Sequence, residues 1–484
     1  MKKNLYAVFC IFSLLLSFAA YPLSAAAEAA GEEERVFYLP EKDGFAQPFV
    51  GDCMPYYGDG TYYIYYLKEG GDSFRHSIYL ATTTDFISYT EYDDPILQSA
   101  ETQAQDEWIG TGSVVKVEDV YYLFYTGHTD SDAFEYAETI MLAKGSDPTS
   151  FEKVPGWEIT PDASLGHKRD FRDPQGYYDE ETGKITLTVT AAQDGVARIL
   201  KYTLSSDLSE VSYDGIIFTD PVGKVYNLEC SDTFCIGDTW YLTYSAQDDV
   251  LWYAASDEPY GPYSDPVCLD GPLYYAAKHV EDGENAYMAG WVRRSRSERD
   301  TRNVNEWAGN LLIQQIRQLP DKSLVLEPVD AIEELYKEES PLEGEITTYT
   351  FDAGDEKVYE ELCTAADSFK LEGSFCFEGA GSFGLAFDYD EGEEDYKLIS
   401  IDPEDSRLRL QFKGGKATPA EEKVDLTAGE NYDFTYIQED SVGVFYIGDT
   451  AAFTVRLYGV GGKPLYLFAE DCDVVFSDLS LFVH

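Results

Sequence analysis

The stretch "GDGTYYIYYL" (Gly58–Leu67) sets an Asp-Gly pair directly before a run dominated by tyrosine. Asp-Gly reaches positive φ at low cost, which is what a tight hairpin needs, and aromatic and β-branched residues favour the pleated surface that follows. The same unit recurs as "VEDVYYLFYTG" (Val117–Gly127), "ETGKITLTVTA" (Glu181–Ala191), "IGDTWYLTYSA" (Ile236–Ala246) and "EDGENAYMAGWV" (Glu281–Val292). Each turn is preceded by another apolar stretch, and the first four units are followed by a third, such as "SIYLATTTDF" or "ARILKYTLSSDL". Corresponding turn residues Gly60, Asp119, Gly183, Gly237 and Gly283 lie 59, 64, 54 and 46 residues apart. Multi-stranded units at that period predict a five-bladed β-propeller, with a large β-sandwich as the alternative. No thirty-residue stretch carries a helical stripe, which excludes α/β barrels and doubly wound sheets.

The propeller is expected over 36–330. From 331 to 344, "AIEELYKEESPLEG" is charged, has some helical spacing and carries Pro341, as a connector would. Beyond it, alternating runs such as "FKLEGSFCFEG", "RLRLQFKGG" and "DVVFSDLSLFV" predict a β-sandwich over 345–484. At the other end, Lys2 and Lys3, the apolar run Leu5–Ala20 and small residues near Ala27 have the form of a secretory signal peptide over 1–27, a transmembrane anchor being the alternative. The chain is therefore expected outside the cell. No other apolar run approaches the roughly 20 residues needed to span a bilayer.

Lys and Arg number 35 against 90 Asp and Glu, for a formal net charge of −55. Such a surface repels nucleic acid and anionic lipid and disfavours a phosphorylated substrate. A neutral partner remains, and an aromatic content of 15% with 39 Tyr suits the flat faces of sugar rings. Setting aside Cys10 leaves seven of the eight cysteines, with no C-x-x-C spacing, which argues against a disulfide framework or a zinc site but leaves one disulfide open.

In a propeller, the strand before each of these turns is innermost and lines the central channel. Asp52 lies eight residues before Gly60, Glu229 eight before Gly237, and Asp173 ten before Gly183 in a blade with a longer turn. Three of five inner strands thus begin with a carboxylate near one level, while the second begins "WIGTGS" and the fifth "YYAAKH". Acids gathered in one pocket repel each other and lose solvation, so at least one is expected to hold its proton near neutrality, as a general acid must. Two carboxylates about 5 Å apart support glycoside cleavage through a covalent intermediate, and a wider gap admits water instead.

These residues resemble the β-fructosidases of glycoside hydrolase family 32, which are five-bladed propellers with a C-terminal β-sandwich. "FRDPQGYY" (Phe171–Tyr178) looks like their Arg-Asp-Pro motif, "ECSDTF" like their Glu-Cys motif, and "WIGTGSVV" is similar to their Ser-Gly-Ser segment. "YYAAKHVEDGENAYMAGWV" and "EWAGNLLIQQIRQLPDKSLVLEPV" look like their fifth blade, and the likeness runs from about Phe45 to the C-terminus. The resemblance implies that Asp52 is the nucleophile, Glu229 the acid and base, and Asp173 the transition-state stabiliser, with Arg172 and Ser113 contacting substrate. Trp108, Trp291 and Trp307 are candidate walls of the sugar site, or core residues. No metal or cofactor is expected. Two departures point to a specificity outside sucrose, inulin and levan. The family's Asn-Asp-Pro-Asn-Gly is "GDCMP" here, keeping only Asp52, and Leu67 falls where many members carry Gln. The rivals are an inverting hydrolase of arabinosides or xylosides, a fructosyltransferase, and a non-catalytic carbohydrate-binding protein.

Other signals carry less. "GAGSFG" (Gly379–Gly384) fits a dinucleotide-binding pattern but runs on into a strand instead of a helix. "DSDAFEYAE" and "DYDEGEED" lack the twelfth-position glutamate of an EF-hand and read as solvated loops. Strand alternation places Cys230 on the opposite face from Glu229, as a packing residue.

Overall fold

A computed structural model describes residues 34–41, 49–70, 75–161, 169–221, 225–352, 354, 356–390, 392 and 395–484. The leader segment 1–27 lies outside them. Among the described residues no helix is long and apolar enough to cross a membrane.

Five four-stranded antiparallel sheets follow one another along the chain, and each is a meander whose first strand is innermost. Blade I comprises Gly51–Gly58, Thr61–Gly70, Arg75–Thr83 and Tyr89–Glu91; blade II, Trp108–Val117, Val120–His128, Glu138–Asp147 and Ser150–Ile159; blade III, Phe171–Asp179, Lys184–Gln193, Val196–Ser205 and Val211–Thr219. Blade IV comprises Leu228–Ile236, Thr239–Ala246, Leu251–Ser256 and Val267–Asp270, and blade V Tyr274–Glu281, Ala286–Arg294, Glu306–Gln318 and Leu324–Glu327. Each inner strand contacts the inner strands of both neighbouring blades, blade I touching blade V, so the ring closes. The segment ahead of blade I seals it. Val50 and Gly309 exchange backbone hydrogen bonds of 2.8 and 2.9 Å, and Leu311 N donates to Tyr38 O at 2.9 Å.

The inner hairpins turn where the sequence places them. Gly60 and Gly237 have φ of 78° and 64°. The second hairpin instead puts Glu118 at φ 54°, a strained choice for a residue with a β-carbon. The short outer strands, such as Tyr89–Glu91 and Val267–Asp270, have too few residues for a clear alternating pattern.

The C-terminal sandwich is organised by two 20-residue strands, Ser368–Phe387 and Pro464–Val483, which pair along most of their length. The first half of Ser368–Phe387 also pairs with Asn431–Glu439 and its second half with Lys397–Asp402. Between the halves the register shifts at Gly379–Ser382, with Gly379 at φ 101°, and a β-carbon on Gly381 would lie 2.0 Å from Glu470 O. "GAGSFG" is thus the glycine bulge of a long strand. The 331–344 stretch holds a short helix, Ala331–Leu335, and an edge strand, Glu338–Ser340, that pairs with the C-terminus.

The sandwich docks on blades IV and V through a shared apolar core that includes Leu311, Ile313, Val442, Val444 and Ala452. Arg456 is buried at this junction, donating to Val292 O, Arg293 O, Asn310 Oδ1 and Ser441 Oγ at 2.8–3.0 Å, with no carboxylate among these acceptors. Nearby, Asp270 is wholly buried and accepts from Thr454 N and Oγ1, Gly271 N and Gln314 Nε2. All seven described cysteines are free, so the one open disulfide is not formed among them.

Candidate active site

All five inner strands carry a β-bulge between their second and fourth residues, where one extra residue interrupts the ladder to the next strand. A bulge re-aims side chains and breaks the two-residue alternation. The residues expelled at this level are Asp52, Thr111, Asp173, Cys230 and Ala276 in blade order, the last three at φ 58°, 51° and 53°. The residue before each bulge forms a second row one step nearer the strand start, in which Arg172, Glu229 and Tyr275 follow from blades III, IV and V. Asp52 and Glu229, placed at one level by counting back from the turns, therefore belong to different rows.

Each row is a hydrogen-bonded chain. In the first, Thr111 Oγ1 donates to Asp52 Oδ2 at 3.0 Å and lies 3.7 Å from Cys230 Sγ, and Cys230 N donates to Asp173 Oδ2 at 2.8 Å. In the second, Arg172 Nη1 donates to Glu229 Oε1 at 3.0 Å and Tyr275 Oη to Glu229 Oε2 at 2.5 Å. Trp291, paired with Tyr275 on the next strand, donates Nε1 to Asp52 Oδ1 at 3.1 Å. Both Asp52 oxygens and both Glu229 oxygens are thereby held.

Burial pushes the Asp173 carboxyl up to about 7, against the pull of the Arg172 guanidinium, with Glu229 adding to the rise. Burial also raises Glu229, opposed by Arg172 and the Tyr275 hydroxyl and reinforced by Asp52. A buried acid that holds its proton more tightly than usual thus shares the pocket with Asp52, whose two oxygens are fixed by two donors, the division of labour that acid-assisted displacement needs.

The pocket above these rows has a volume of about 350 Å³. Trp108 and Trp307 line it, with His76 between them: its ring stacks on Trp307 at 4.1 Å and 6° and meets Trp108 edge-on at 5.8 Å. Leu67 lines the same wall. A larger cleft of about 830 Å³ lies where the Glu298–Arg302 loop faces the sandwich, but it contains none of the three acids.

Three expectations are corrected. Ser113 does not reach the pocket; it is buried, and its Oγ accepts from Gly176 N at 2.8 Å, tying blade II to blade III. Trp291 is only 1% exposed and lies behind Asp52, holding the carboxylate instead of walling the sugar. Cys230 shares the pocket with Glu229, because the bulge cancels the alternation that would have separated them. Burial drives its thiol well up, so it stays a neutral thiol.

Thr111, Tyr275, His76, His128 and Glu138 were not anticipated. A signal existed for two of them: the count of eight that finds Asp52 also ends on Thr111 before Asp119 and on Tyr275 before Gly283. His128 and Glu138 come from the end of the second strand and the start of the third strand of blade II and carry no sequence signature.

Residues 53–328, more than half of the chain, match the model of the "Glycosyl hydrolases family 32 N-terminal domain". The chain belongs to glycosyl hydrolase family 32. The match begins one residue after Asp52, where the sequence departs from the family's usual flank. A sucrose-6-phosphate hydrolase of Escherichia coli is 32% identical over 172 residues, 34% of this chain and 34% of that protein, so the alignment spans about a third of the relative. Among solved structures, a fructan 1-exohydrolase from Cichorium intybus superposes with a TM-score of 0.73 at 16% identity, over 93% of this chain and 98% of that one. A β-fructofuranosidase from Bombyx mori gives 0.68 at 17% identity, over 90% and 92%. At these identities the structural likeness speaks for the fold, propeller and C-terminal sandwich together.

Proposed function

We propose that this chain is a secreted, retaining hydrolase that releases fructose from neutral β-fructosides. The observation that carries the reading is the pair of bulge rows, which fix Asp52 through Thr111 and Trp291 and fix Glu229 through Arg172 and Tyr275 in one pocket.

In this reading an Asp52 oxygen attacks the anomeric carbon of the fructosyl unit. The glycosidic C–O bond breaks, and the Glu229 proton passes to the departing oxygen. The resulting fructosyl ester is opened by water, which gives its proton to Glu229 as its oxygen bonds to the anomeric carbon and frees Asp52. Asp173, buried and poised near neutrality, shares hydrogen bonds with sugar hydroxyls beside Arg172. Trp108, His76 and Trp307 supply the apolar wall on which a ring face lies.

Neutral substrates are favoured because, among the described residues, Asp52, Asp130, Glu138, Asp173 and Glu229 line the pocket against the guanidinium of Arg172. In this respect the site differs from what the name of the Escherichia coli relative describes. Leu67 and the "GDCMP" flank leave fewer polar groups beside the nucleophile, consistent with altered choice of fructoside. The leader segment 1–27 supports secretion, which N-terminal sequencing of exported protein tests.

The chemical test is hydrolysis of sucrose, 1-kestose and sucrose-6-phosphate in water containing methanol. The reading expects methyl β-fructofuranoside, with retained configuration, and faster turnover of the uncharged substrates. An inverted product, or preference for the phosphorylated sugar, would overturn it.

A further inference from the structure

We propose that Glu138, at the start of the third strand of blade II, is a positioning residue that clamps the Arg172 guanidinium and through it sets the placement and charge balance of Glu229. This rests on the reading of Glu229 as general acid.

The guanidinium is held from three directions by three carboxylates. Its Nε donates to Glu138 Oε2 at 3.1 Å, Nη2 to Asp170 Oδ1 at 2.6 Å and Nη1 to Glu229 Oε1 at 3.0 Å. The same Glu138 oxygen accepts Phe171 N at 2.9 Å, so it fixes both the side chain of Arg172 and the backbone just before it. The other Glu138 oxygen lies 3.2 Å from His128 Nδ1, and His128 Nε2 is 3.6 Å from Asp130, itself paired with Arg169. Glu138 is 6% exposed, and a buried carboxylate with this many partners is a built feature and not an incidental surface acid.

The charges give the clamp a direction. Against burial, which would raise it, Glu138 is held down to about 2 by His128, Arg172 and the Phe171 amide, so it is an anion at every working pH. Glu229 is faced by Arg172 and Asp173 from blade III, Tyr275 and Arg293 from blade V and Asp52 from blade I, and Asp173, raised to about 7, titrates within the same range. Arg172 favours the ionised form of Glu229. Glu138 offsets that positive charge and so helps Glu229 keep its proton. Neutralising Glu138 therefore strengthens the pull of Arg172 on Glu229, and the acid loses its proton at lower pH.

The experiment measures kcat/KM against pH from 4 to 9 for the parent, Glu138→Gln and Asp170→Asn, on whichever fructoside the parent cleaves best. Glu138→Gln is expected to move the alkaline limb toward acid by about one pH unit. Activity would then fall about tenfold at pH 8 and less than about threefold near pH 5. Asp170→Asn, at a less buried position, removes a second carboxylate from the same guanidinium and reads the clamp should Glu138→Gln fail to fold. Its limb should move the same way. A purely structural role would lower activity equally at all pH values, and that result in either folded variant overturns the proposal. An active parent with unshifted variants overturns the positioning role alone. A parent that cleaves no fructoside overturns the reading of the site and this role with it.

Discussion

Replacing Tyr275 by Phe removes one atom from the second row. The ring keeps its contacts, edge-on to Trp291 at 5.6 Å and beneath the Arg293 guanidinium at 4.1 Å. What is lost is the hydroxyl that donates to Glu229 Oε2 at 2.5 Å. Burial keeps that phenol protonated, so it acts as a donor throughout. A hydrogen bond to an ionised group is worth about 1.5–3 kcal/mol, against about 0.5–1.5 for a neutral pair, so the hydroxyl favours the carboxylate over the acid by about 1–1.5 kcal/mol. Deleting it shifts the balance toward protonated Glu229 by roughly five- to tenfold. In a pH profile of kcat/KM, whose alkaline limb reports loss of the acid's proton, Tyr275→Phe should move that limb to higher pH. This is the opposite of the displacement expected from Glu138→Gln. Turnover limited by ester hydrolysis should fall at low pH, because that step needs Glu229 as a base. A limb that stays put or moves toward acid would refute the assignment of Glu229 as the acid held by Tyr275.

Arg456→Met should lower the stability of the docked sandwich by about 1–3 kcal/mol, because four neutral acceptors lose a buried donor while the methionine fills only the stem's volume. Calorimetry should show this as a lower Tm, with fructose release per folded molecule retained; an unchanged Tm would show that the junction does not depend on the guanidinium. The melting temperature should also fall between pH 5 and pH 8. Burial raises Asp270 to about 6 and Glu439 to about 7, above their unfolded values, so the stability they contribute is full below about pH 4 and lost as pH rises through 6 and 7. Repulsion within a chain of net charge −55 grows in the same direction, and added salt should recover part of the loss at pH 8. A Tm that rises across this range would contradict the assignment.

The blades and the three acids were legible because both repeat. Turn residues at a steady period mark the hairpins, and a carboxylate at a fixed distance from a turn stands out against its neighbours. What the sequence hid was the bulge. One extra residue per inner strand leaves the run of residue types unchanged but reverses which side chains face inward. Alternation therefore sent Cys230 away from the pocket and left Ser113 as a substrate contact, when Thr111, two residues earlier, is the one beside Asp52. Trp291 was recognised as important from its residue type, but its role depends on an indole N–H reaching across from the second strand of blade V. Glu138 and His128 arrive from outside the inner strands, through tertiary packing that no local spacing records.

In this mechanism Asp52 is the nucleophile, in a flank that keeps only the aspartate of the family's usual segment. The most direct test is fructose release by the protein from Glu28 onward, acting on sucrose, 1-kestose, inulin and levan, with Asp52→Asn beside it. The parent should release fructose from at least one of these and the variant should lose roughly a thousandfold or more, the scale expected when a nucleophile is removed from a covalent mechanism. Equal release by parent and variant would contradict the nucleophile, and no release from any of the four would contradict the activity.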